Sequence, residues 1–148
     1  MDIAVFTLAQ DLTPRFEIDL DASVAIGQEG YFFGYPHGWH SEVNGGYVAF
    51  VKRASISAVP QTQNGVRFFY LDGFNNPGFS GGPVAFYNYK TSKWAILAVI
   101  SGFEQETAKK RVGTDYIDTD TLVNSGVIVA YPTAPALEAL DKYIAQNN

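Results

Sequence analysis

Short apolar runs, separated by glycine, proline and asparagine, recur along the chain, and their length predicts strands rather than helices. The runs are residues 2–8, 30–36, 47–59, 66–71, 83–89, 94–101 and 126–131. Asn64-Gly65 lies between two of them, which is a strong signal for a tight hairpin turn. The pattern predicts an all-β fold of about seven strands, arranged as a sandwich or a barrel.

The C-terminal segment is different, because its apolar residues have helical spacing. Leu137, Leu140 and Ile144 recur at intervals of three and four residues, so they would share one face of a helix. Thr133 is placed to cap this helix, and Pro135 suits its first turn. We therefore expect one terminal α-helix after the strands.

Composition and charge narrow the classes of function. The 148 residues are 47% hydrophobic and 15% aromatic, with 14 glycines, which suits one all-β domain with a substantial core. The formal net charge is −5 with only 10 Lys and Arg residues, so we expect no nucleic-acid partner. The densest basic run, Lys109-Lys110-Arg111, is predicted to be a solvated loop.

Several kinds of chemistry are excluded by what the sequence lacks. It contains no cysteine, so disulfides, a thiol nucleophile and thiolate metal sites are ruled out. No carboxylate cluster accompanies His37 and His40, and no phosphate-binding glycine loop precedes a helix, so we expect neither metal nor cofactor. No apolar segment is long enough to cross a membrane and no signal-peptide pattern follows Met1, so no membrane partner is expected.

The most informative segment surrounds Ser80. It reads Asn75-Asn76-Pro77-Gly78-Phe79-Ser80-Gly81-Gly82-Pro83-Val84. Asn-Pro-Gly is a strong turn signal, because proline presets φ and glycine accepts a positive φ. Such a turn can direct the backbone N–H groups of Gly78 and Ser80 at one point, which is what an oxyanion hole requires. Ser80 is therefore a candidate nucleophile, and the alternative is a hairpin loop with an incidental serine.

The run Gly-Phe-Ser-Gly-Gly-Pro-Val resembles the nucleophile motif of the trypsin-like serine peptidase superfamily, and most closely its bacterial HtrA-type branch. Shorter agreements, in the same order, lie at residues 2–5, 34–38, 99–102 and 125–129, and the terminal helix follows them. The resemblance implies the second barrel of the double-barrel trypsin-like fold with a C-terminal α-helix. It also implies peptide-bond hydrolysis through a seryl acyl-enzyme.

The resemblance assigns catalytic roles to Ser80 as nucleophile and Asp2 as the carboxylate of a triad. In the superfamily the triad histidine precedes the aspartate by some tens of residues, and here only Met1 precedes Asp2. We expect His37 and His40 to be ordinary loop histidines, so the chain as given is expected to be catalytically incompetent alone.

The same reasoning predicts how the chain is divided. Residues 1–20 would be a remnant of the first barrel and its link, and residues 21–148 the second barrel with the nucleophile loop and terminal helix. A shortened piece, a late start of the gene model and an evolutionary loss would each explain the missing histidine. The face that a first barrel would cover is apolar, so a homodimer through that face is also expected.

The resemblance also implies a polypeptide substrate and a pocket for one of its side chains. Phe74, six residues before the nucleophile, would form the base of this pocket, and Ser101, Gly102 and Phe103 would form its edge. Phe74 favours an apolar or small side chain over a basic one. Core packing is an equal alternative for Phe74 and Phe103.

Three other classes of protein share some of these sequence features. An α/β-hydrolase shares Gly-x-Ser-x-Gly, but its serine opens a helix and its histidine follows the serine, whereas here a strand is predicted and no histidine follows Ser80. The order Asp2, His37, Ser80 matches subtilisin nominally, but that fold needs alternating strands and helices. The serious alternative is a non-catalytic pseudo-peptidase that binds proteins or peptides.

Overall fold

The structure, a computed structural model, describes residues 17–18 and 24–147. Within them it has nine strands and one α-helix: β1 Glu17–Ile18, β2 Glu29–Gly34, β3 Ser41–Val43, β4 Gly46–Val48, β5 Phe50–Ala58, β6 Phe69–Asp72, β7 Pro83–Asn88, β8 Lys93–Val112, β9 Asp115–Pro132 and α1 Ala134–Asn147. The predicted strand at residues 2–8, which includes Asp2, lies outside the described residues. The all-β fold with a C-terminal helix is confirmed.

The main sheet closes on itself as a barrel. Strands follow the order β8, β7, β2, β5, β6 and β9, and β9 then pairs with β8 to complete the ring. Each of these six contacts is antiparallel, whereas β1 pairs with β8 in parallel at Ala95 and Ile96. Closure pairs the strand edges with one another, so the barrel interior can be filled by side chains alone.

The barrel core is built from alternate positions on these strands. Side chains of strand residues point to opposite faces in turn, so one face of each strand enters the barrel. The largest fully buried side chains are Phe32, Phe79, Ile56, Leu71, Leu97, Ile100, Ile128, Val84 and Asn75. Burying each large apolar side chain contributes about 1.5–3 kcal/mol, so this cluster dominates the stability of the fold.

Strands β8 and β9 continue well past the barrel as a two-stranded ribbon. Residues 104–123, which we call the arm, are exposed except for half-buried Ala108 and Thr119. The predicted loop at Lys109-Lys110-Arg111 was therefore wrong, because these residues pair with Asp118, Ile117 and Tyr116 of β9. A ribbon with both faces in water has no apolar alternation, so the sequence pattern did not reveal it.

Other elements follow the predictions with small changes. The predicted strand at 47–59 is interrupted at Ala49, between β4 and β5. The helix is present, but the Thr133 hydroxyl donates to the carbonyl of Leu97 at 3.1 Å, so it ties the helix start to β8 and makes no side-chain cap. Among the described residues, no helix has the length and apolar character needed to cross a membrane.

Candidate active site

A tight turn carries the segment before Ser80. The Phe79 N–H donates to the Asn76 carbonyl at 3.3 Å, which closes the turn over Pro77 and Gly78. Gly78 has φ +101°, a conformation that residues with a side chain rarely adopt. A Cβ on Gly78 would also overlap the carbonyl oxygen of Tyr35. Both features require glycine at this position.

Phe79 anchors this turn in the barrel core. Its side chain is completely buried, and its ring meets that of Phe32 edge-on at 5.0 Å between centroids. The Gly82 N–H donates to the Phe79 carbonyl at 2.9 Å, and a Cβ on Gly82 would overlap the carbonyl oxygen of Phe33. The chain on both sides of Ser80 is therefore fixed by close backbone packing.

Backbone hydrogen bonds attach the serine turn to two neighbouring strands. On one side the Gly81 N–H donates to the Ile100 carbonyl at 2.8 Å, and the Ile100 N–H donates to the Gly82 carbonyl at 2.9 Å. On the other side the Tyr35 N–H donates to the Gly78 carbonyl at 3.0 Å. Ser80 thus lies at the end of the barrel, between β8 and the residues that follow β2.

Ser80 is exposed and borders an open cavity of about 470 Å³. The cavity is lined by Phe33, Gly34, Tyr35, Ala49, Gly78, Ser80, Gly81, Gly82 and Pro83. Within residues 24–147, neither the Ser80 hydroxyl nor the N–H groups of Gly78 and Ser80 have a hydrogen-bond partner. Two N–H groups and one hydroxyl beside a cavity are therefore available to a bound group.

A comparison with known protein families identifies the family to which the chain with this turn belongs. Residues 1–89, more than half of the chain, match the trypsin-like peptidase domain. The chain belongs to the trypsin-like peptidase family. The matched segment includes the serine turn and strands β2 to β7. A search of curated proteins found no match. The narrower resemblance to the HtrA-type branch stays a prediction.

Trypsin-like peptidases need a base for the serine, and His37 is a candidate because its main chain contacts the serine turn. Its N–H donates to the Pro77 carbonyl at 3.2 Å, so its main chain touches the serine turn. Its ring lies 5.3 Å from the ring of Trp39 and makes no hydrogen bond to Ser80. The described contacts therefore do not couple this imidazole to the hydroxyl.

His40 is also engaged elsewhere. Its ring packs edge-on against Tyr47 at 4.2 Å between centroids, its Nε2 lies 4.0 Å from a Glu42 oxygen, and its Nδ1 lies 3.4 Å from the Gly38 carbonyl. No hydrogen bond joins it to Ser80 in the part of the chain that the structure describes. Over the same residues, no group of three or more His, Asp or Glu side chains is placed to hold a metal ion.

The predicted pocket residues are brought to the same end of the barrel, but their exposures differ. Phe74 is 57% exposed, and the Lys52 Nζ lies 5.6 Å from its ring centroid. Ser101 is exposed, whereas Gly102 and Phe103 are half-buried. None of these four residues is among those that line the cavity beside Ser80, so the substrate pocket that they would form stays a prediction.

Asn75 was missed in the sequence, where it was interpreted only as part of a turn. It is 1% exposed, and its Nδ2 donates to the Gly102 carbonyl at 3.3 Å. The Asn124 side chain donates to the backbone carbonyl of Asn75 at 2.6 Å. Its Oδ1 is buried and has no partner among the described residues. Asn75 therefore joins the segment before the serine to the base of the arm.

Lys52 was also missed, although a lysine within an apolar strand is a signal that could have been used. Its Nζ donates to the Phe74 carbonyl at 2.7 Å and to the Asn76 Oδ1, and it lies 5.2 Å from the centroid of the Phe79 ring. Burial lowers the pKa of Lys52 below its usual value. This side chain ties β5 to the turn that precedes Ser80.

Proposed function

We propose that this chain carries the nucleophile and oxyanion hole of a serine endopeptidase. Ser80 would be the nucleophile, and the N–H groups of Gly78 and Ser80 would form the oxyanion hole. One observation carries the proposal: an exposed serine and two unpaired amides lie on a rigid turn beside an open cavity. Rigid donors placed in advance are what stabilises a developing oxyanion.

The chemistry that follows is acyl transfer to the serine. The Ser80 Oγ attacks the carbonyl carbon of a peptide bond, its proton passes to a base, and the carbonyl oxygen becomes an oxyanion held by the two amides. The C–N bond then breaks, and the amine leaves with a proton from the protonated base. Water hydrolyses the resulting ester, which restores the serine and releases a carboxylic acid.

Deprotonation of Ser80 needs a base, and the described residues place no histidine ring in hydrogen-bond contact with it. The sequence contains only His37 and His40, and neither ring is hydrogen-bonded to Ser80 within the described residues. Removing the base from such a triad costs roughly a million-fold in turnover. We therefore propose that the 148-residue chain by itself has no meaningful peptidase activity. In this proposal Asp2 is the carboxylate of the triad, and residues 1–20 are a remnant of the first barrel, which would supply the missing histidine.

A second candidate function is a non-catalytic module that binds a polypeptide. The observation that favours it is the engagement of both imidazole rings with aromatic neighbours, Trp39 and Tyr47. The serine turn argues against it, because peptide binding alone does not require glycine at positions 78 and 82 or a pair of free amides. The two candidates differ in whether Ser80 can form a covalent bond.

The deciding experiment is ¹¹B NMR of the chain with a peptide boronic acid, whose boron becomes tetrahedral when a serine oxygen adds to it. We expect a tetrahedral signal with the wild-type chain and none with Ser80→Ala. Ser57→Ala is the matched control, because Ser57 is an exposed serine on β5. Absence of the signal in the wild type would favour the binding module over the peptidase.

Activation is tested separately with a fluorophosphonate, followed by intact-mass measurement. We expect modification of Ser80 to be slow and to take hours or longer, because the hydroxyl remains protonated without a base. Labelling of Ser80 within seconds would show that His37 or His40 does activate it, and would contradict the proposed incompetence of the isolated chain.

A further inference from the structure

Among the described residues, the outer edge of β8 loses its neighbouring strand directly beside Ser80. This edge pairs with β7 as far as Val99 and with the serine turn at Ile100. Beyond Ile100, β9 is the only neighbouring strand of β8 among the described residues. The arm therefore presents a row of backbone N–H and C=O groups along one side, which is a template for another strand.

An isolated two-stranded ribbon with both faces in water is only marginally stable. At about 3.3 Å per residue, the stretch from Ser101 to Val112 is roughly 35 Å long. Free edges of this length are usually shortened, bulged or covered. β8 carries an extra residue only at Ser101, the register shifts near Glu104 and Ala108 come from extra residues on β9, and nothing among the described residues covers the outer edge of β8.

The charges along this edge change sign at its middle. Glu104 and Glu106 lie on the half nearer the barrel, and Lys109, Lys110 and Arg111 lie on the outer half. For Glu106, Lys109 and Lys110, no ion pair within 4.0 Å is formed with a described residue. A row of charges of one sign would be enough to repel the edges of other strands. A row that is negative at one end and positive at the other instead attracts a partner strand whose charges run in the reverse order.

A second copy of the same edge, running antiparallel, has that opposite order. Directly opposed side chains of an antiparallel pair lie on the same face of the sheet, so a two-fold pairing of this edge joins residues an even number of positions apart. With the two-fold axis at Ala108, Glu106 of one copy faces Lys110 of the other, and Gln105 faces Arg111. Symmetry repeats each pair, and the two Ala108 side chains face each other at the axis. The edge is therefore complementary to itself, as a two-fold interface requires.

We propose that two copies of this chain pair through the β8 edges of their arms and form a four-stranded antiparallel sheet. The extra residues at the register shift near Ala108 belong to β9, so β8 runs through the axis without interruption and can form antiparallel backbone hydrogen bonds on either side of it. The same register brings the tip of the second arm, after Val112, beside Gly102 and Phe103. Association would therefore cover the edge next to the candidate active site.

Charge reversal provides the sharpest test, read by analytical ultracentrifugation at low salt. We expect the wild type to dimerise in the micromolar range. E104K/E106K and K109E/K110E/R111E should each weaken the dimer at least about tenfold, because the facing charges at positions 106 and 110 become repulsive in both symmetry-related pairs. An equimolar mixture of the two variants should restore a dimer, since one edge is then entirely positive and the other entirely negative.

Cysteine cross-linking tests the register independently, because the chain contains no cysteine of its own. Ala108→Cys lies at the proposed axis and should form a disulfide-linked dimer on mild oxidation. Val123→Cys is the control, because it is exposed on β9, on the opposite edge of the same arm. It should remain largely uncross-linked under the same conditions.

Four outcomes would overturn the proposal: a wild type that stays monomeric at several hundred micromolar, a dimer unaffected by both charge variants, a mixture that stays monomeric, or equal cross-linking at positions 108 and 123. Circular dichroism and denaturant unfolding of each variant establish that it is folded. A monomer whose arm is protected from hydrogen exchange by an extended peptide would assign the edge to a peptide partner instead.

Discussion

The turn around Ser80 and the arm leave the same end of the barrel but are held in different ways. At the turn, Phe79 is completely buried, and Gly78 and Gly82 approach neighbouring backbone so closely that a methyl group does not fit. In the arm, nearly every side chain is exposed and Gly113 has open space around it. The turn is specified by packing, whereas the arm is specified mainly by backbone pairing and surface charge. Substitutions should therefore affect the two regions very differently.

The largest expected difference is between two phenylalanines of the serine loop. Phe79→Ala should reduce the free energy of unfolding by about 3–5 kcal/mol, because it leaves a cavity in the core. Phe74→Ala should cost less than about 1 kcal/mol, because that ring is already largely in water. Chemical denaturation of both variants measures the difference. Equal losses would mean that Phe79 does not anchor the turn in the core.

The next contrast uses two glycines that both have ordinary φ values. Gly82→Ala should cost about 1–3 kcal/mol or more, because its methyl group would overlap the Phe33 carbonyl, which belongs to a central strand. Gly102→Ala is the control, since nothing lies within 4 Å of its added Cβ. Its stability should stay within about 0.5 kcal/mol of the wild type. A well-tolerated alanine at position 82 would contradict the close packing under Ser80.

Lys52 joins the turn to β5, and its removal should have an intermediate effect. Lys52→Met loses the hydrogen bonds to the Phe74 carbonyl and the Asn76 side chain, which should cost about 1 kcal/mol near pH 7. Lys90→Met, in an exposed turn, is the control and should be nearly neutral.

The pH dependence of Lys52 follows from the direction of its shift. Because burial lowers its folded-state pKa, the unfolded chain binds more protons between that pKa and the unfolded value of about 10.4. Stability conferred through this group therefore rises with pH across that window. The difference in unfolding free energy between the wild type and Lys52→Met should increase from pH 8 to 10.5. A flat difference would show that burial of the ammonium has no energetic consequence.

The smallest effect is expected where the arm meets the barrel. The Tyr70 hydroxyl donates to a Glu104 oxygen at 3.4 Å, and the pKa of Tyr70 is raised by burial first and by the charge and hydrogen bond of Glu104 after it. A raised folded-state pKa gives stability that is complete below about pH 10 and is lost as the pH rises through it. Tyr70→Phe should flatten that loss, by about 0.5 kcal/mol or less.

Glu104→Gln sharpens this prediction because it removes the charge while keeping an acceptor. It should reduce the pH-dependent loss only in part, since burial is the first cause of the shift. Unfolding followed from pH 8.5 to 11 measures both variants, and a Tyr70→Phe profile identical to that of the wild type would exclude coupling between Tyr70 and Glu104.

Much of the fold was predictable because the signals were local. The short apolar runs that contain Phe32, Ile56 and Ile128 predicted strands, and these three side chains are buried. Asn-Pro-Gly predicted the turn before Ser80, which a backbone hydrogen bond closes. Residues whose role depends on distant partners were missed. Lys52 contacts the loop 22 residues later, and Asn75 is joined to Gly102 and Asn124. No pattern within one segment encodes such contacts.

By itself, the sequence determined the strand-rich class, the terminal helix and a glycine-lined serine turn, because each depends on propensities and spacings within a few residues. Only the tertiary structure decided that the barrel closes between β8 and β9, that both strands extend into the arm, and that neither His37 nor His40 is hydrogen-bonded to Ser80 in the described residues. The physical reason is that these features depend on pairing between residues far apart in the chain. An exposed polar ribbon gains its order from backbone hydrogen bonds, which leave no trace in the hydrophobic pattern.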